Sequence, residues 1–173
     1  YQISPLSRSL FHDENDKRIP YTWVADMYAT GPKIYWVTKY RGTVYADDRY
    51  SDNDIIIYRL SDLYLLKAEA YAALTDYANS KKYLDMVKAR AGIDLYAGEM
   101  STAALQKEIL DERGRELFFE NKRWFDLVRF HEGGTIDVYN YVPNLKGKST
   151  PLFWPVNTTV LANNPEMSQT DGY

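Results

Sequence analysis

A chain of 173 residues with 45% hydrophobic and 26% charged side chains has the make-up of one globular domain, large enough to bury a core without metal or disulfide. Its net charge of −3 argues against nucleic acid or an anionic lipid surface as partner and suits neutral ligands. The absence of cysteine excludes thiolate zinc sites, thiol catalysis and disulfide frameworks.

No run of residues approaches the ~18 apolar positions of a membrane span. No signal peptide is visible, and the opening Tyr1-Gln2-Ile3-Ser4-Pro5 lacks an initiator Met, which reads as a start inside a longer protein. Pro5, Pro20 and Pro32 punctuate the beginning, and Pro143, Pro151, Pro155 and Pro165 the end. Long uninterrupted helices are therefore expected only between Pro32 and Pro143.

Residues 1–54 are rich in aromatics and turn formers. Ile34 to Tyr40 is β-prone, and Thr43-Val44-Tyr45 after Gly42 is expected to return against it as a small hairpin. Residues 55–132 form a helical block. Ser61 or Asp62 suits the N-cap of its first helix, in which Leu63, Leu66, Ala70 and Ala73 mark one face and Leu65, Ala68 and Ala72 another. Two apolar faces predict a helix sandwiched between neighbours. Asp76 should cap a second helix that runs through Ser80, Leu84, Val87 and Ala91 and stops at Gly92.

These two helices make a tetratricopeptide-like hairpin, which cannot bury its own faces. A third helix, from Ser101 or Thr102, is expected to continue through Glu120. The chain must then turn at Asn121, a residue that tolerates the left-handed conformation, before a short helix over Arg123–Phe130. Residues 133–173 read as an irregular tail that clamps onto the body, because Leu152-Phe153-Trp154-Pro155-Val156 is too apolar to hang free.

Charge is densest from Asp111 to Arg129. Glu112, Glu116, Glu120 and Asp126 alternate there with Arg113, Arg115, Arg123 and Arg129. A glycosidase-like acid and base would need two carboxylates apart in a cleft, one with a raised pKa. Here each acid has an arginine within a turn, so a structural ion-pair network is the favoured reading. His12 and His131 lie far apart and lack the spacing of a zinc site. The acidic loops at Asp13–Asp16, Asp47-Asp48 and Asp52–Asp54 miss the glycine and terminal glutamate of a calcium loop, and turn formation accounts for them equally well. No metal or other cofactor is expected.

Tyrosine totals 16 and tryptophan 4, and ten of these crowd between Tyr1 and Tyr58. Flat aromatic faces stack on the C–H patches of sugar rings, so carbohydrate is a natural ligand. Composition alone nominates Trp23, Tyr28, Trp36 and Tyr45 as glycan contacts.

Several stretches resemble the SusD/RagB family. Arg59 with Ala68-Glu69-Ala70, Leu84 to Gly92 ending Arg-Ala-Gly, and above all Glu112-Arg113, Glu116-Leu117, Phe119-Glu120 and Arg123 to Phe130 are similar to its motifs. Asn163-Asn164-Pro165, Gln169 and Gly172-Tyr173 resemble its C-terminal signature, and Asp16-Lys17-Arg18 and Lys39-Tyr40 are weaker matches. Asn121 stands where the family has glycine, and Asn157 where it has a second proline after Trp154-Pro155-Val156.

The resemblance implies a mainly α fold of tetratricopeptide-like helix pairs, a SusD-like α-α superhelix with long loops. It also implies a non-catalytic surface protein that binds oligosaccharide or polysaccharide. On this reading the protein is a lipoprotein of the outer membrane, held only by a lipid anchor outside these residues, and it delivers nutrient to a SusC-like TonB-dependent transporter. A helical-repeat interaction module without sugar binding is the alternative, and a glycoside hydrolase the third.

Overall fold

The computed structural model describes residues 2–25, 34–46 and 48–173, and the chain divides into two units, 1–126 and 127–173. In the first unit, α1 (Pro5–Ser9) and α2 (Ile19–Thr22) precede two small antiparallel sheets. Strand β1 (Trp23–Ala25) pairs with β2 (Tyr35–Val37), and β3 (Thr43–Tyr45) pairs with β4 (Asp48–Tyr50). The hairpin expected between Ile34–Tyr40 and Thr43–Tyr45 is thus replaced by two separate pairings. Tyr40 and Gly42, at φ 62° and 71°, turn the chain out of β2, and β3 finds its partner downstream.

The helical body is α3 (Leu60–Ala73), α4 (Tyr77–Ala91) and α5 (Thr102–Glu116), with α3 packed on both others. Local chemistry sets the ends of α4. Asp76 accepts from the Asn79 amide at 3.2 Å, and Gly92 closes the helix at φ 75°. Ser101 caps α5, accepting from Ala104 N at 3.3 Å.

The start of α3 differs from expectation. Arg59 holds the N-cap position without a side-chain cap, while Ser61 and Asp62 sit buried in the first turn. Their side chains are engaged elsewhere, Ser61 by Arg59 and Asp62 by Arg113. Ser80, Ala68 and Ala72 are fully buried, and small residues of this kind let helices approach closely. Leu65, Leu84, Leu105, Ile109 and Leu110 fill the core.

Among the described residues, the face of α3 that carries Leu63 is left largely open. Leu63 is 51% exposed and Leu60 61%. The helix packs on α4 and α5 with its Leu65–Ala68–Ala72 face and is solvated along the Leu63 face.

A second cluster joins Ile3, Phe11 and Trp23, with Leu10, Ile19, Tyr35, Val37 and Phe118 packed against it. Phe11 and Trp23 meet edge to face at 4.5 Å. Helix α5 stops at Glu116, four residues short of the expected end, and residues 117–121 turn the chain with two left-handed residues, Phe119 (φ 61°) and Asn121 (φ 58°). Helix α6 (Arg123–Glu132) follows, and the division between the units falls within it.

The second unit contains α7 (Val138–Tyr141), a 3-10 turn at Pro143–Leu145 and α8 (Thr158–Asn163). Residues 150–156 and 169–173 are tied together there. Gln169 accepts from Val156 N at 2.7 Å and donates to Val156 O at 3.1 Å, and Gly172 lies so close to Pro151 that a Cβ would come within 2.6 Å of its ring. Among the described residues no helix is long and apolar enough to cross a membrane.

Candidate functional site

One face of α5 and the turn after it present Glu112, Glu116 and Glu120, which are 0%, 3% and 5% exposed. Each meets cations brought from distant sequence. Arg18 spans Glu112 at 2.6 Å and Glu116 at 3.0 Å while its other edge holds Asp16 at 2.7 Å. Arg59 grips Glu120 at 2.9 Å and also pairs with Glu116. Lys39 pairs with Glu120 and donates to the Phe118 carbonyl at 3.0 Å, and Arg90 reaches Glu116 from α4.

Arg115 joins Glu112 at 2.8 Å, its i,i+3 neighbour, to Glu108 at 2.9 Å. On another face of α5, Arg113 lies 2.9 Å from both Asp62 and Asp126. Arg123 donates to the Leu110 carbonyl at 2.6 Å. Arg129 belongs to the second unit, its guanidinium 5.4 Å from the Phe130 ring centroid.

Electrostatics follow from this arrangement. Burial alone would raise the Glu116 carboxyl, but Arg59, the Ser61 hydroxyl and Arg90 hold it down to about 2. Burial opposes the charge on Arg18 and Arg59 too, yet Asp16 and Glu112 for Arg18, and Glu120 and Glu116 for Arg59, raise both guanidinium pKa values. Burial prevails at Lys39, whose pKa is lowered despite Glu120. A carboxylate clamped this way is a poor proton donor near neutral pH.

Only part of this cluster can be read from residues 111–129. Asp16, Arg18, Lys39, Arg59, Asp62 and Arg90 complete it from far along the chain. The signal for five of them lay in the family matches, Asp16, Arg18 and Lys39 in the weaker ones and Arg59 and Arg90 in the stretches Arg59–Ala70 and Leu84–Gly92.

The aromatic candidates separate. Trp23, 8% exposed, is buried against Phe11, so its ring faces are not free for a ligand. Trp36 on β2 is 41% exposed and Tyr45 on β3 61%. Tyr45 stands 4.8 Å from Tyr50 across the β3–β4 pair, the two rings tilted by 38° and both largely open. Tyr28 lies outside the described residues.

Sequence reasoning missed an open cleft of about 960 Å³ in the first unit, lined by His12–Asn15, Gly92–Gly98, Lys88 and Glu108. Among the described residues no group of three or more histidines and acids could hold a metal ion. Asp13 accepts from Asn15 N at 2.9 Å within its own loop, whereas Asp52 accepts from Thr43 N at 2.9 Å, nine residues away on β3.

Helix pairs braced by a buried ion-pair cluster, with two small antiparallel sheets, define a mainly α scaffold. The profile of the SusD family matches residues 13–173, and the chain belongs to that family. It is 30% identical over 132 residues to the starch-binding protein SusD of Bacteroides thetaiotaomicron, covering 72% of this chain and 22% of that protein. A SusD-like protein, P2, of Formosa agariphila is 28% identical over 166 residues, 84% of this chain and 33% of that one. The crystal structure of a SusD superfamily protein from Bacteroides fragilis superposes with TM-score 0.77 at 28% identity, covering all of this chain and 40% of its own. The chain thus spans between about a fifth and a third of the curated relatives it matches.

Proposed function

We propose that the chain is part of a non-catalytic surface protein that binds glycan and passes it to a SusC-like TonB-dependent transporter in the outer membrane. The observation that carries this reading is family membership over residues 13–173 combined with 30% identity to a starch-binding member. The exposed aromatic rings of Trp36, Tyr45 and Tyr50 support it, since they offer stacking faces for sugar. Residues 1–54, 55–132 and 133–173 act as aromatic segment, helical block and tail. Attachment to the membrane is through a lipid on a cysteine that is not among these residues.

The ion-pair cluster serves as a brace. A glycosidase acid needs a raised pKa, and Glu116 is driven the other way by Arg59 and Arg90. Binding measured by calorimetry against a panel of neutral polysaccharides, including starch, tests the reading. Heat of binding to at least one is expected, with no reducing sugar released. Silence across the panel would reject glycan as the nutrient, and release of reducing sugar that is lost in a folded Glu116→Gln variant would reject the non-catalytic role.

A second reading, a helical interaction module, is favoured by the uncovered α3 face at Leu60 and Leu63. Capture of a transporter without any need for sugar would support it.

A further inference from the structure

Phe119 holds a strained backbone in the first unit. A bulky side chain sits there at φ 61°, in the region where Cβ crowds the following carbonyl and glycine is the usual occupant. Such an angle persists only where the surroundings over-determine it. Local chemistry does not. Leu117-Phe118-Phe119-Glu120 contains neither glycine nor proline, and the sequence by itself carries the helix on through Glu120. Packing of the Phe119 ring does not compel the angle either, since that residue is 41% exposed.

What stops the helix arrives from far along the chain. In a continuing helix the Glu116 carbonyl would accept from the amide of residue 120, and the Phe118 carbonyl from that of residue 122. Arg59 donates to the first instead, and Lys39 to the second at 3.0 Å. The Lys39 ammonium also pairs with the Glu120 carboxylate, so one cation bridges the residues on either side of Phe119. The Phe118 ring is seated 6.0 Å from Phe11 and 6.4 Å from Trp23. Residues two apart on a helix do not share a face, so helical backbone could not turn both Phe118 and Glu120 inward. A left-handed residue between them allows it.

Lys39 is itself delivered by fixed backbone. It follows β2, where the Thr38 amide donates to the Thr22 carbonyl at 2.9 Å, and Tyr40 turns the chain away at φ 62°. The N-terminal sheet and the end of α5 therefore meet through a single ammonium group.

We propose that Lys39 is a conformational pin. By bridging the Phe118 carbonyl and the Glu120 carboxylate it holds Phe119 left-handed and couples the end of α5 to β2. With the pin withdrawn, the turn relaxes and α5 extends towards Glu120. The device is independent of what the protein binds.

The test uses the 173-residue chain and compares Ala with Gly at position 119 by urea denaturation. Both substitutions delete the ring, and only Ala keeps the Cβ. With Lys39 present, Phe119→Gly should show a folded-to-unfolded ratio roughly threefold or more above that of Phe119→Ala, because glycine carries no left-handed penalty. In a Lys39→Met background, which leaves Glu120 its Arg59 partner, the order should reverse, since Ala outranks Gly in a helix. Lys39→Arg, which keeps charge and donors, should retain the glycine advantage. Amide exchange of the wild type needs no substitution to fold: protection at Thr38 and at Glu120, whose amide donates to the Leu117 carbonyl, should agree within about tenfold if the two segments open together. Ala equal to or above Gly with Lys39 in place would show that Phe119 is not strained, and the proposal falls. A glycine advantage that survives Lys39→Met, or a Glu120 amide that exchanges far faster than Thr38, would equally overturn Lys39 as the pin.

Discussion

Glu116 illustrates how a single carboxylate can serve architecture. It is buried, and Arg18, Arg59 and Arg90 all point at it from separate elements. Removing one partner leaves charge stranded in a dry setting. Arg59→Ala should therefore lower stability by about 3 kcal/mol in urea denaturation, with Glu116→Gln comparable. The partly exposed i,i+4 pair of Lys81 with Asp85 on α4 should give less than about 1 kcal/mol when Lys81 is truncated. The pH dependence follows from the same residue. With its folded pKa depressed from 4.5 to about 2, Glu116 stabilises the fold fully above the unfolded value and loses that contribution as pH falls from 4.5 towards 2. An acid titration of the thermal midpoint should drop over that window, and the drop should be shallower in Glu116→Gln.

At the scale of elements, the helix ends are the places where local chemistry can be tested cleanly. Replacing the caps Asp76 and Ser101 by Ala should cost about 1 kcal/mol each, read by denaturation. The turn between α5 and α6 carries a different demand. Phe119 and Asn121 both adopt the left-handed region, and the turn places Glu120 between Arg59 and Lys39. Asn121→Gly should be neutral or slightly stabilising, whereas Asn121→Val should cost about 1–2 kcal/mol through its crowded Cβ. An equal loss from both substitutions would mean that the Asn side chain, and not the backbone angle, matters.

For the whole protein, a neutral ligand held by stacking and hydroxyl contacts should bind with little dependence on ionic strength. Polysaccharide affinity measured between ~0.1 M and ~1 M salt is expected to change by less than about threefold. Chelation by EDTA should leave it unaltered if turn formation is the whole role of the acidic loops. A steep fall with salt would point to a charged ligand and away from starch-like substrates. Because the chain covers 22% of the starch-binding relative, these measurements also show how much of a glycan site the matched region carries.

Features set by neighbours in sequence were legible before any coordinates. Asp76 and Gly92 bound α4, Ser101 caps α5, and Asn121 turns left-handed, because capping and backbone sterics act within a few residues. The family block from Glu112 to Phe130 likewise marked the braced helix. Tertiary structure alone decided the rest. Strand partners were misread because pairing is a matter of register between segments, and Ser61 and Asp62 missed their capping role because Arg59 and Arg113 engage them instead. Trp23 and Trp154 are the same residue type, yet one lies under Phe11 and the other stands in water. Composition cannot separate them, since exposure is set by which distant segments arrive above each ring.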